Sequence, residues 1–144
     1  IEIVRRQPTV ILDAAHNVAS AQALVDVLTT SFTTKNRILV LAVSQDKDVP
    51  GIVRTLLPHF AQVLATCYQD NPRAVPTEQL TEIIRTQLQV LNHQAELAAC
   101  PTPGAAWQWA QRLAAQAQAD QPLICITGSF FIAAELRQPL LAAV

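Results

Sequence analysis

Glycine is scarce in this chain: Gly51, Gly104 and Gly128 are the only three in 144 residues. They cannot be arranged into a G-x-x-x-x-G-K-[ST] phosphate loop or into G-x-G-x-x-G, which argues against a self-sufficient nucleotide-binding domain. Cysteine is equally sparse. Cys67, Cys100 and Cys125 are odd in number, widely spaced and form no C-x-x-C, so neither a disulfide framework nor a zinc site is expected. Charge is low at 15%, the formal net charge is -1, and Arg5-Arg6 is the single basic doublet. That is not the footprint of a nucleic-acid binder. The longest apolar runs fall short of the about 20 residues that a membrane span needs. The opening IEIVRRQP has no apolar stretch of the kind a secretory signal carries. Unpaired thiols and no signal lead to the expectation of a cytoplasmic protein. The start at Ile1, close to a strand and without methionine, suggests an excised piece of a longer polypeptide.

What is abundant is apolar surface. Hydrophobic residues make up 51% of the chain, enough for one folded domain with its own core. They fall into short continuous runs: Thr9 to Asp13, Arg37 to Val43, Ala61 to Thr66, a weaker Gln94 to Ala98, and Leu123 to Thr127. Continuous runs, as opposed to alternating ones, mark strands buried on both faces. Cys125 lies inside the last of them, where a thiol behaves as a small buried hydrophobe.

Between the runs the period changes to that of a helix. Ala21, Leu24, Val25 and Leu28 make one apolar stripe; Leu80, Ile83, Ile84 and Leu88 make another. Ala106, Trp109, Ala110 and Leu113 make a third, and Ile132, Leu136 and Leu140 recur near the end. Asn17 and Thr77 are expected to cap helices, and Thr102-Pro103 is a cap followed by proline at the first helical position. Of Trp107 and Trp109, one is expected to face out. Strand and helix thus alternate, with crossovers long enough for parallel pairing. The expected fold is α/β: a doubly wound, mostly parallel sheet with helices on both faces.

Ligands of such sheets bind outside the carboxyl ends of the strands. Three loops there carry polar residues. In Asp13-Ala14-Ala15-His16-Asn17, the aspartate can accept two ribose hydroxyls or only order the turn. His16 can donate or accept near neutral pH, and Asn17 can cap the helix while facing a ligand. Ser44-Gln45-Asp46-Lys47-Asp48 is either a solvated loop or a place where Lys47, held by the acids, meets a carboxylate or phosphate. In Thr127-Gly128-Ser129-Phe130, glycine permits close backbone approach, and Ser129 either caps the last helix or helps hold an anion at its N-terminus. The G-x-S-x-G nucleophile frame is absent. His59 and His93 have no metal-ligand spacing to each other or to His16, and no metal site is expected.

Read together, these loops resemble the C-terminal domain of the folylpolyglutamate synthase / dihydrofolate synthase family, within the Mur ligase superfamily. That family's L-D-G-A-H-N-P stands here as Leu12-Asp13-Ala14-Ala15-His16-Asn17-Val18, and its D-K-D as Asp46-Lys47-Asp48. Its P-R-A element stands as Pro72-Arg73-Ala74, and its T-G-S-L-F-L-A-A-E as residues 127 to 135, reading T-G-S-F-F-I-A-A-E. The elements keep family order across almost the whole chain. Ala14 and Val18 depart from the family's Gly and Pro.

The resemblance implies that residues 1–144 form a Mur ligase-type C-terminal domain whose partner is a preceding ATP-binding domain. That domain would carry the phosphate loop, the magnesium ligands and much of the folate site, while a Gly-Arg pair just upstream would help bind ATP. The implied reaction uses ATP to activate a folate or pteroate carboxylate as an acyl phosphate, which the amine of L-glutamate then attacks. Asp13 and Asn17 would face the nucleotide. His16 and Ser129 would stand near glutamate or the reaction centre, and Lys47 near an anionic group. This chain alone would be inactive. Two alternatives stay open on sequence: another Mur-type amino-acid ligase, and a non-catalytic small-molecule binding module.

Overall fold

The computed structural model describes residues 1–142. Six strands form one sheet: β1 (Glu2–Arg6), β2 (Thr9–Leu12), β3 (Arg37–Leu41), β4 (Gln62–Ala65), β5 (Glu96–Ala99) and β6 (Leu123–Thr127). Four helices connect β2 through β6, namely α1 (Val18–Ser31), α2 (Val49–Leu56), α3 (Thr77–Leu91) and α4 (Pro103–Gln116), and α5 (Phe130–Ala142) follows β6. A 3₁₀ turn, Leu57–His59, extends α2. The spatial order is β1-β2-β6-β3-β4-β5, parallel throughout except for β1, which runs antiparallel to β2.

Why the apolar runs are continuous is visible in the two cores. Ile11, Leu39, Leu41, Val63, Leu123 and Cys125 point to the face covered by α1, α2 and α3. Their chain neighbours Val10, Leu12, Ile38, Val40, Ile124 and Ile126 point to the other face, under α4 and α5. Successive side chains alternate faces, so a strand covered on both sides must be apolar at every position. Each fully buried leucine or isoleucine contributes about 1.5–3 kcal/mol of transfer free energy. The helical stripes pack as expected for Ala21, Leu24, Val25 and Leu28 in α1 and for Ile132, Leu136 and Leu140 in α5.

Several expectations require correction. The edge strand β1 was not anticipated, because its half-buried residues form no apolar run. Nor was α2, an eight-residue helix begun by the Asp48 side chain, whose Oδ1 accepts from the Gly51 amide at 3.0 Å. Thr77 does not cap α3. Pro76 occupies the cap position without a side-chain bond, and Thr77 is buried in the first turn, its Oγ1 donating to the Cys100 carbonyl. In α4 the inward tryptophan is Trp107; Trp109 is 40% exposed, so it leaves the expected stripe. The weaker strand sits two residues further on at its start, at Glu96.

At the amino end of β3, Arg37 is buried to 2% exposure. Its Nη2 donates to the carbonyls of Leu28 at 2.9 Å and Phe32 at 3.1 Å. The last turn of α1 contains no basic residue, and this guanidinium supplies the positive charge that the helix end favours. Burial pushes its pKa below the usual arginine value.

Candidate active-site rim

The strand order β2-β6-β3 places the three polar loops side by side at one edge of the sheet. Parallel pairing brings Leu12 opposite Ile126 and Thr127 opposite Leu41, so all three strands end at the same height. Thr127 Oγ1 donates to Asp13 Oδ2 at 3.1 Å, and the Ala42 amide donates to the Thr127 carbonyl at 3.3 Å. Asp13, Thr127 and the start of the Ser44 loop therefore form one connected rim.

Asp13 is more heavily committed than its sequence position implies. Its Oδ2 accepts from Thr127 and from the Ala15 amide at 2.7 Å. Its Oδ1 lies 3.2 Å from the backbone nitrogen of Ile1. A carboxylate offers about four lone-pair sites. Both on Oδ2 are taken, so a ribose must be met at Oδ1, not by both oxygens at once. Asn17 does cap α1: its Oδ1 accepts from the Ser20 amide at 2.8 Å, and Ser20 Oγ in turn accepts from the Asn17 amide. Asn17 is exposed, and its amide nitrogen is the group left to face a ligand.

His16 stands beside this turn. Its Nδ1 lies 3.0 Å from the Ala14 carbonyl. A carbonyl only accepts, so Nδ1 carries hydrogen and the neutral ring keeps Nε2 as an acceptor. The imidazole leans on the Phe130 ring, with centroids 5.0 Å apart at 40°. Phe130 is 63% exposed and opens α5. Ser129, just before it, is 2% exposed, and its Oγ accepts from the Ile132 amide at 3.2 Å. The helix-capping role of Ser129 is thus realised, and its O–H remains the free donor. Gly128 adopts φ +117°, and a Cβ there would fall 2.2 Å from the Ala42 carbonyl oxygen. This close passage holds the Gly128 backbone against Ala42, just beyond the end of β3.

On the other side of β6, the Ser44 loop is pinned by residues that sequence alone did not connect to it. Ser44 Oγ and Tyr68 Oη are 2.6 Å apart and buried. The Gln45 amide donates to the Arg73 carbonyl at 2.7 Å, and Gln45 Nε2 to the Ala74 carbonyl at 3.0 Å. The Pro72-Arg73-Ala74 element therefore rests on this loop. Lys47 lies 3.9 Å from Asp46 Oδ2, and Arg73 lies 3.8 Å from the same oxygen. Asp48 does not hold Lys47, because it caps α2. Among the described residues, Thr66 Oγ1, just beyond the end of β4, is a buried side-chain polar atom with no hydrogen-bond partner. Among the described residues no group of three or more His, Cys, Asp or Glu could hold a metal ion, and no helix is long and apolar enough to cross a membrane.

A shallow cavity of about 350 Å³ opens at this rim, bordered by Leu12, Asp13, Ala14, Phe130 and Arg137. A larger one, about 650 Å³, lies at the opposite end of the strands under Arg5, Trp107 and Pro122. It contains none of the rim residues, and size alone does not make it the reaction site.

An open doubly wound α/β sheet whose polar loops gather at the carboxyl ends of neighbouring strands has the architecture in which ligands bind at that edge. The chain belongs to the Mur ligase, glutamate ligase domain family, which matches residues 1–130. Over 80 residues, 56% of this chain, it is 44% identical to the dihydrofolate synthase/folylpolyglutamate synthase of Mycobacterium tuberculosis, and the match covers 16% of that protein. The structure of the Mycobacterium tuberculosis folylpolyglutamate synthase complexed with ADP and AMPPCP superposes with a TM-score of 0.85 at 33% identity, covering 96% of this chain and 31% of that one. E. coli FolC in complex with DHPP and ADP shares the fold, with a TM-score of 0.80 at 24% identity over 99% of this chain and 31% of FolC. The chain thus spans about a third of the solved relatives' length.

Proposed function

We propose that this chain is the C-terminal domain of an ATP-dependent ligase that joins L-glutamate to a folate or pteroate carboxylate. The observation that carries the reading is the convergence of the Asp13, Ser44 and Thr127 loops on one rim, with Thr127 bonded directly to Asp13. These are the segments through which the chain resembles glutamate ligases.

In this reaction a carboxylate oxygen attacks the γ-phosphorus of ATP, giving an acyl phosphate and ADP. The amine of glutamate then attacks the acyl carbon. The C–O bond to phosphate breaks, a proton leaves the nitrogen, and an amide remains. The triphosphate and magnesium belong to the preceding ATP-binding domain, since no glycine-rich phosphate loop exists among these residues. Here Asp13 Oδ1 meets a ribose hydroxyl, while Asn17 offers its side-chain NH₂ beside it. His16, tautomer set by the Ala14 carbonyl, presents Nε2 toward glutamate or the reacting centre. Ser129 presents its O–H at the N-terminus of α5, where a carboxylate is favoured. Lys47, half-exposed and balanced by Asp46, supplies a further positive charge for an anionic group.

The test uses the parent polypeptide. Asp13→Ala should raise the KM for ATP by roughly tenfold to a hundredfold, the range set by a hydrogen bond to a charged acceptor of about 1.5–3 kcal/mol. Thr127→Val removes the 3.1 Å contact but leaves Oδ1, and should raise it far less. Equal effects in both variants, or none in either, would overturn the ribose role. The 144-residue chain alone should release no phosphate from ATP above background when given magnesium, glutamate and a folate.

A further inference from the structure

Four cationic or titratable side chains from three separate stretches of the chain meet at the end of the sheet away from the candidate rim. Lys35 and Arg37 come from the approach to β3, His59 from the 3₁₀ turn before β4, and His93 from the turn before β5. With Thr29 and Gln94 they line a cavity of about 260 Å³. That is several times the roughly 30 Å³ share of one water. No acidic residue is among its lining residues.

Part of this positive charge is spent on the fold. Helices α1 and α3 and the 3₁₀ turn end here, and their last carbonyls are partially negative. Arg37 donates to the Leu28 and Phe32 carbonyls, and His93 Nε2 donates to the Phe60 carbonyl at 3.0 Å. A remainder is left over. The Arg37 Nε–H is buried and finds no partner. Neither the Lys35 ammonium nor the His59 ring makes a hydrogen bond or ion pair among the described residues. A buried donor without a partner, beside two uncommitted basic groups and no carboxylate, lacks a negatively charged acceptor.

We propose that this chain carries an anion site, suited to a phosphate group, at the amino ends of β3, β4 and β5 under Lys35, Arg37, His59 and His93. The phosphate can come as the free ion or as a small phosphomonoester. His93, with Nε2 held by Phe60, offers Nδ1–H when protonated. His59 offers a ring N–H, and Lys35 closes the mouth from an exposed position. Burial first, then the charges of Arg37, His93 and Lys35, lower the His59 pKa when nothing negative is nearby. A bound phosphate opposes that balance, because a negative charge beside the ring favours its protonated, donating form. The site is remote from the glutamate-ligase rim and does not depend on that reading.

The test is a titration of the 144-residue chain, with ¹³C-labelled histidine, against inorganic phosphate at acid pH, followed by the ring C–H resonances. His59 and His93 should shift saturably and together, while His16, at the opposite end of the strands, stays in place. Lys35→Gln, an exposed change that leaves the fold intact, should weaken binding about tenfold, as should His59→Gln. Glycerol phosphate binding as well as phosphate would assign the site to monoesters, and weaker binding would assign it to the free ion; either supports the site. Absence of saturation, the same shifts with chloride at matched ionic strength, or unchanged affinity in both variants would overturn it.

Discussion

Replacing Gly128 with alanine tests whether the candidate rim depends on a backbone path that no other residue can take. Gly128 has φ +117°, a conformation L-residues reach only under strain. Occupying this region costs an alanine about 1–2 kcal/mol. The added Cβ would also fall 2.2 Å from the Ala42 carbonyl oxygen and 2.8 Å from Leu41 Cδ1. The first contact is with backbone, so no rotamer change relieves it. Ala42 is fully buried, and its amide is tied to the Thr127 carbonyl. Forcing β3 and β6 apart there adds about 1–3 kcal/mol of strain. The sum, roughly 2–5 kcal/mol, is a large share of the 5–15 kcal/mol typical of a domain. With a urea slope of about 1–3 kcal/mol/M, the midpoint should fall by on the order of 1–2 M. Gly104→Ala is the control. It lies inside α4, its Cβ would meet nothing nearer than Thr102 Oγ1 at 3.9 Å, and it should be neutral or stabilising by up to about 1 kcal/mol. Urea unfolding followed by circular dichroism measures both. A Gly128→Ala midpoint within about 0.3 M of the parent would refute the close-passage argument.

Ser129→Ala should cost about 1 kcal/mol of stability through loss of the Ile132 cap. If the hydroxyl also meets glutamate, the glutamate KM of the parent enzyme should rise about tenfold while the ATP KM holds; movement of the ATP term alone would count against that role. The thiols should be unequal. Burial raises the pKa of all three, for Cys67 with help from Glu135 and Glu78, but only Cys67 is partly accessible. An aromatic disulfide reagent at pH 8 should therefore titrate one slow thiol in the native chain and three in urea. The His59 pKa is lowered below 6.5 in the fold. The unfolded chain thus binds the proton more readily, and stability should fall as pH drops from 6.5 through the lowered value. His59→Gln should flatten that part of the melting-temperature profile; an unchanged slope would refute the assignment.

The convergence of the rim loops explains how short polar motifs far apart in the chain come to lie together. Asp13 and Thr127 are separated by 114 positions, yet one hydrogen bond joins them because β2 and β6 are neighbours in the sheet. The crossovers of a doubly wound sheet make such meetings routine at its carboxyl edge.

Read as sequence alone, the chain already disclosed the central strands, four of the helices and the fold class. β3 and β6 are apolar at nearly every position because both faces are covered, and the α1 and α5 stripes have an unambiguous helical period. Asn17 and Thr102 were legible as caps because capping is settled within four residues. What needed the tertiary structure was anything decided by a neighbour distant in sequence. The amphipathic edge strand β1 is defined by its pairing with β2, and the eight residues of α2 are too few to show a period securely. Trp107 and Trp109 both sit near an apolar stripe, and only the packing of α4 on the sheet buries the first and exposes the second. The commitment of Asp13 Oδ2, the resting of Arg73 on the Ser44 loop, and the meeting of His59 with His93 likewise follow from strand order. Local periodicity records which face of an element is buried; it does not record which other element lies against that face.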